Sequence, residues 1–376
     1  MKRILLMITK VVAVLLSIAF SAMMLVAMLF DNTLAQAHSY EPYSGAVTDQ
    51  YNAYAQQKLD EAQAAALGVD KQFWLLDDDR IAPKPDSAKY GSTTDPSELG
   101  WLFDEAAELL DGQDTIFTTE TVLAPGTEAI YYLDDTIFAV TWKQGIDNGM
   151  YTFSEVKIAH ASQIRRYHSG GEYNTGSLQV ATDMARYVNA VVASGADYYA
   201  FRNYGIVVLD GVVHRVDPWC ALDTCYIDEN GDMLFSYRGQ FKTIAAAQEF
   251  VDANNIRFSI SFGPVLKDHD REYNDFTGYI VGEPNDTYAR AALCQKGKLH
   301  YLVAVLNKEG IYPFTDTLYG FAENIRALGV DTAYTLDGGQ TAVVITQNKL
   351  INRPVKGYQR VVSDIFYFAT AIPDGN

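Results

Sequence analysis

Residues 334–345 read Tyr-Thr-Leu-Asp-Gly-Gly-Gln-Thr-Ala-Val-Val-Ile, a carboxylate and two glycines between apolar runs of strand character. Asp337 is able to act as an acid, a base or a nucleophile, while Gly338 and Gly339 have no Cβ and let backbone amides and a ligand come close. Two readings fit: the seat of an anion beside a carboxylate, or an Asp-Gly hairpin turn with a solvated acid. Asp268-His269-Asp270 has metal-ligand residue types but follows an expected strand as a polar turn. Asp77-Asp78-Asp79 lacks the glycine and glutamate of a calcium loop, so no metal site is expected, and nothing designates a cofactor. The chain carries no Gly-x-Ser-x-Gly elbow, Walker loop or dinucleotide fingerprint. Outside the cell Cys220 and Cys225 would close a small disulfide loop and leave Cys294 unpaired; free thiols throughout are the alternative.

The elements that must position Asp337 follow from periodicity. Residues 130–142, 150–159, 258–266 and 299–306 have strand character. Residues 206–213 turn at Asp210-Gly211 and residues 226–235 at Asn230-Gly231, each as a hairpin. Helical spacing recurs in Leu99, Leu102, Phe103, Ala106, Leu109 and Leu110, and again in Val180, Met184, Tyr187, Val188 and Val191, the second helix capped by Thr175 or Ser177 and leading to a strand near Ala193. Further helices are expected over 243–253 and through Leu318, Phe321, Ile325 and Leu328, the latter capped by Asp316 or Thr317 and closed by Gly329. The strand into Asp337 comes next. Helices and hairpins interleave without a regular strand-helix-strand period, which predicts an α+β domain with a mixed sheet rather than a doubly wound fold.

The chain has 376 residues and a net charge of -18, which excludes nucleic acid as a partner and requires any anionic ligand to be drawn in by a local basic pocket. Residues 41–120 hold 17 Asp or Glu against 5 Lys or Arg and so carry most of that charge. Lys2, Arg3 and Lys10 precede 20 uncharged apolar residues, 11–30. That run is about 30 Å of helix, enough to span a bilayer with the N-terminus inside and the rest outside. Ala35-Gln36-Ala37 has the form of a signal-peptidase site, so a cleaved signal and a secreted protein are the alternative, although the run exceeds the roughly 7–15 residues of a signal core. The expected organisation is a signal anchor over 1–37, an acidic, helical, membrane-proximal stalk over 38–120, and the α+β domain over 121–376.

Several stretches of that last region, taken in order, resemble the phosphodiester glycosidase family. They are Asp197-Tyr198-Tyr199 with Gly205-Ile206-Val207-Val208 and Asp210-Gly211, then Phe262-Gly263-Pro264-Val265-Leu266, Ala289-Arg290-Ala291-Ala292, Leu336-Asp337-Gly338-Gly339 and Ser363-Asp364-Ile365-Phe366-Tyr367. The chain departs from the family pattern at Gly195-Ala196 (for Asn-Gly), Gln340 (for a third glycine) and Ala289 and Ala291 (for Pro and Thr). The resemblance implies hydrolysis of a sugar-1-phosphodiester at the anomeric carbon. A phosphomonoester leaves readily, so the chemistry needs a positive clamp and one carboxylate rather than a strong general acid. Arg290 then suits the clamp, Asp337 the carboxylate with Gly338 and Gly339 as amide donors, and Asp197 a second acid or a turn cap. Gln340, Thr341, Tyr198, Tyr199 and Arg202 are expected around the substrate, one tyrosine facing the core. The reading is a membrane-anchored extracytoplasmic hydrolase of envelope or exopolysaccharide material; the alternative is a catalytically silent glycan- or sugar-phosphate-binding scaffold.

Overall fold

The computed structural model describes residues 81–109, 123, 126–147, 149–201, 203–217, 219, 221–279 and 284–372, all within one compact unit, Gly45–Asn376. The expected membrane helix with its alternative cleavage site, most of the acidic stalk, Asp77-Asp78-Asp79, Arg202 and Cys220 lie outside the described residues. Among the described residues no helix is long and apolar enough to cross a membrane.

The fold is a sheet-dominated α+β architecture with few helices, and every described strand pairing is antiparallel. Nine strands form the largest sheet, in the order Tyr90–Thr93, Ala129–Asp134, Ile137–Ile146, Gly149–Ile158, His300–Asn307, Arg290–Gly297, Thr332–Leu336, Val265–Asp268 and Arg271–Glu272. A second sheet orders Lys349–Leu350, Ile345–Thr346, Val192–Gly195, Asp364–Phe368 and Ile164–His168. A third orders Met233–Ser236, Thr224–Asp228, Ile256–Ile260, Ile206–Leu209 and Val212–Val216. Among the described residues the α-helices are α1 (Gly100–Leu109), α2 (Ala181–Tyr187), α3 (Ile244–Ala253) and α4 (Leu318–Arg326).

Local chemistry explains where the chain departs from its expected elements. Residues 130–142 are two strands rather than one, because Asp134 Oδ1 accepts from the Thr136 and Ile137 amides at 2.7 and 3.1 Å and turns the chain. Residues 258–266 are divided between two sheets: Gly263 sits at φ +67 and Pro264 has no N–H to give a ladder, so Ile256–Ile260 stays in the third sheet and Val265–Asp268 joins the first. Neither Thr175 nor Ser177 caps α2. Their hydroxyls meet Ser169 instead, at 3.4 and 3.0 Å, and α2 begins after Val180 without a side-chain cap. Thr317 does cap α4, its Oγ1 accepting from the Gly320 amide at 3.2 Å. Both expected hairpins form, with Asp210, Gly211 and Gly231 at positive φ in their turns.

Residues 81–109 supply an edge strand to the large sheet and helix α1, which buries Leu102, Phe103, Ala106 and Leu109. Phe103 meets Phe138 edge-on at 5.3 Å between ring centroids. Cys225 and Cys294 are buried free thiols, and burial pushes both well above the ordinary thiol range. Phe153, fully buried in the large sheet, lies 5.3 Å from Trp142 and 5.4 Å from Tyr151. Phe153→Ala removes those contacts and should cost about 3–5 kcal/mol in chemical denaturation; a loss below about 1 kcal/mol would place the dominant core elsewhere.

Candidate active site

The Asp337 turn is a crossing between sheets, not a hairpin. Thr332–Leu336 is buried throughout and ends the large sheet's path, while the next strand, Ile345–Thr346, pairs with Val192–Gly195 in the second sheet. That topology removes the reading of an ordinary hairpin with a solvated acid, since Asp337 is only partly exposed. Ala291 lies opposite Leu336 and Arg290 opposite Leu306, so the beginning of the Arg290 strand and the Asp337 turn share one end of the sheet.

Backbone contact holds the two together. The Gly339 N–H donates to the Ala289 carbonyl at 2.8 Å, and a Cβ on Gly338 would stand 2.6 Å from that same oxygen. Gly338 is therefore required by close approach, and Gly339 by its φ of +65. One expected role changes as a result: the Gly339 amide is engaged by Ala289 rather than presented to a ligand. Thr341 turns inward, its Oγ1 donating to the Gly338 carbonyl at 2.6 Å and its own carbonyl lying 3.0 Å from where a Gly195 Cβ would sit. Gly195 thus fits where a side chain would crowd the turn. Gln340 Nε2 is buried with no hydrogen-bond partner among the described residues.

Arg290 is 5% exposed. Its Nη2 donates to the Asp286 carbonyl at 2.9 Å, and its guanidinium carbon lies 5.2 Å from the centre of the half-exposed Tyr288 ring. Burial lowers the guanidinium pKa from its ordinary value, against the opposing pull of Tyr288, Asp316 and Asp286. A guanidinium remains charged all the same. A cavity of about 220 Å3 is lined by Leu306, the residue opposite Arg290 in the sheet, with Tyr151, Asp147 and Asp316 among others.

Asp197 occupies different surroundings. It is 2% exposed, and its carboxylate accepts from the Ser261 amide at 2.9 Å, from Arg166 Nη2 at 3.3 Å and from the Tyr198 amide. Arg166, which sequence reasoning missed, also binds Asp364 through Nε at 2.5 Å and donates to the Ser259 carbonyl. Its signal was present as an Arg165-Arg166 pair inside a strand, since a charge in a core needs a partner. Burial opposes the Arg166 charge, but Asp364 and Asp197 outweigh it and raise the guanidinium pKa; burial pushes the Asp364 carboxyl up, while Arg166 pulls it back. Tyr199 is buried, its hydroxyl donating to the Ser363 carbonyl at 3.2 Å. Tyr198 stacks on Phe201 at 4.6 Å and accepts from Arg360 Nη2 at 2.7 Å. Asp268-His269-Asp270 forms the turn between Val265–Asp268 and Arg271–Glu272, and among the described residues no group of three His, Cys, Asp or Glu is arranged to hold a metal ion.

An α+β fold with an acid in a glycine turn and an arginine at the adjoining strand end fits the family that the sequence motifs resemble. Residues 183–369 match the phosphodiester glycosidase family, and this region of the chain belongs to it. The structure is similar to the catalytic domain of zebrafish N-acetylglucosamine-1-phosphodiester alpha-N-acetylglucosaminidase, auto-inhibited by its pro-peptide, with a TM-score of 0.50 and 15% identity over 62% of this chain and 83% of that one. That likeness concerns the fold. A hypothetical protein from Synechocystis gives a TM-score of 0.45 and 14% identity over 65% of this chain and 64% of that one. No curated protein matches the chain.

Gly338→Ala drives a methyl into a carbonyl already fixed by the Gly339 amide and should cost about 1–3 kcal/mol. Gly339→Ala meets open space and should cost only the left-handed backbone, about 1–2 kcal/mol. Denaturant unfolding of both variants checks the pair, and a neutral Gly338→Ala would mean the turn does not press on Ala289. Arg166→Met leaves two buried carboxylates without their cation and should cost about 3–5 kcal/mol by the same measurement.

Proposed function

We propose that the chain is a membrane-anchored, extracytoplasmic hydrolase that cleaves the C1–O bond of a sugar-1-phosphodiester in envelope or exopolysaccharide material. One observation carries the reading: the Asp337 turn is hydrogen-bonded to the start of the Arg290 strand, so carboxylate and guanidinium spring from adjoining backbone. Membership of the phosphodiester glycosidase family supports the reaction class, and the basic residues before the apolar run 11–30 support the anchor.

In this reading Arg290 takes the phosphate oxygens of the diester, its partly desolvated position strengthening the attraction. Asp337 accepts the proton of a water that attacks the anomeric carbon. The C1–O bond to phosphate breaks and the phosphomonoester leaves with the electron pair, stabilised by Arg290. Asp197 is a positioning residue, its oxygens engaged by Ser261, Tyr198 and Arg166. Gln340 borders the sugar and Tyr198 belongs to the loop beside it, while Thr341, bonded to the Gly338 carbonyl, holds the turn.

A second reading, a silent relative that binds sugar phosphates without turnover, is favoured by the engaged Gly339 amide and by Gln340 in place of a glycine. An assay of sugar release from a panel of sugar-1-phosphodiesters, with the full-length chain in detergent micelles, separates the two. Hydrolysis should fall about 10²–10⁴-fold in Asp337→Ala and about 10–100-fold in Arg290→Lys. Release that survives Asp337→Ala removes that residue from the mechanism; binding without release from any substrate selects the silent reading.

A further inference from the structure

A larger cleft, of about 830 Å3, opens between the edge strand Ile164–His168 and the third sheet, and none of its lining residues comes from the Asp337 turn or the Arg290 strand. Arg165, Arg166 and Arg257 line it together with His168, His214 and Tyr173. The two carboxylates on its wall, Glu172 and Asp210, are both exposed, whereas Arg165 and His168 are buried. Arg166 is already paired with Asp364 and Asp197, so in a chain of net charge -18 Arg165 and Arg257 are the cations that this cleft offers an anionic ligand.

His168 shows what else the ligand must offer. Tyr199 has one hydroxyl proton, and the Ser363 carbonyl receives it at 3.2 Å, so the Tyr199 oxygen accepts from His168 Nδ1 at 3.1 Å. The ring therefore carries its proton on Nδ1. Burial, then the charges of Arg166 and His214, holds its pKa well below the ordinary histidine value, so the ring is neutral at physiological pH. Nε2 is left as a bare acceptor, buried with no hydrogen-bond partner among the described residues, on a side chain that is 8% exposed and lines the cleft. It calls for a hydroxyl donor. Tyr173 adds a ring face, its centroid 5.9 Å from His168, 5.0 Å from Tyr199 and 5.6 Å from His214.

We propose that this cleft binds an anionic saccharide, a sugar bearing a phosphate or carboxylate group, with the charged group on Arg165 and Arg257, a ring hydroxyl donating to His168 Nε2, and the sugar face against Tyr173. The volume suits a sugar phosphate with room for a second unit. The assignment rests on the cleft alone and holds whether or not Asp337 turns over a substrate.

Titration calorimetry on the full-length chain carrying Asp337→Ala, in detergent micelles, tests it with glucose 1-phosphate, glucuronate, glucose and inorganic phosphate as probes. Glucose 1-phosphate, glucuronate or both should bind about tenfold or more tightly than glucose or phosphate alone, and Arg257→Met and Tyr173→Ala should each weaken that binding about tenfold with an unchanged unfolding transition. Tyr173→Ala, at a partly exposed position, keeps the test decisive should Arg257→Met fail to fold. Three results overturn the proposal: no binding at millimolar probe, inorganic phosphate or glucose binding as tightly as the charged sugars, or affinity indifferent to every variant. Which charged sugar binds distinguishes a phosphate from a carboxylate source. Sugar release by the unsubstituted chain reports separately on the hydrolytic reading.

Discussion

A single buried guanidinium ties the functional half of the molecule together. Arg166 sits on the edge strand of the second sheet, yet its partners are Asp364 on the neighbouring strand, Asp197 at the end of a third segment, and the Ser259 carbonyl of another sheet. Removing an arginine from water is costly, and only this set of acceptors, brought in from three places in the chain, offsets it. Asp197 reinforces the junction by accepting from the Ser261 amide and donating its own N–H to Asp364 at 3.1 Å. The loop that carries Tyr198 and Tyr199 therefore has a position only when two sheets are already assembled.

The molecule carries two surfaces of different chemistry. On one lies the Asp337 turn, held against Ala289 by a glycine amide and by the absence of a side chain on Gly338. On the other lies the arginine and histidine cleft, to which Arg166 also contributes. An acidic protein that handles an anionic ligand must overcome its own long-range repulsion at short distance, and buried cations do this because little water or salt screens them. Arg290 and the cleft arginines follow that logic at separate places.

The large sheet provides the rigidity that both surfaces need. Its long central strands, Ile137–Ile146, Gly149–Ile158 and His300–Asn307, are mostly buried and carry Arg290–Gly297 and Thr332–Leu336 beside them, with a register shift between Gln295 and Gly297. A slip of one residue would reverse the face of every side chain, Arg290 included, so the buried faces fix where the catalytic candidates project. Because the second sheet begins where the Asp337 turn leaves the first, the turn is braced at both ends.

Local pattern alone determined much of this molecule: the hairpins at Asp210-Gly211 and Asn230-Gly231, the Thr317 cap of α4, the strand into Asp337, and the family motifs all depend on neighbours within a few residues. Tertiary structure decided the rest. Residues 258–266 read as one apolar run but serve two sheets, and Thr175 and Ser177 read as caps but bind a loop, because long-range pairing outcompetes weak local preference. Nothing in the sequence around Arg166 or His168 names Asp197, Asp364 or Tyr199, which lie some 30 to 200 residues away. Charge pairing and proton placement depend on distances in space, and those exist only once the sheets have closed around them.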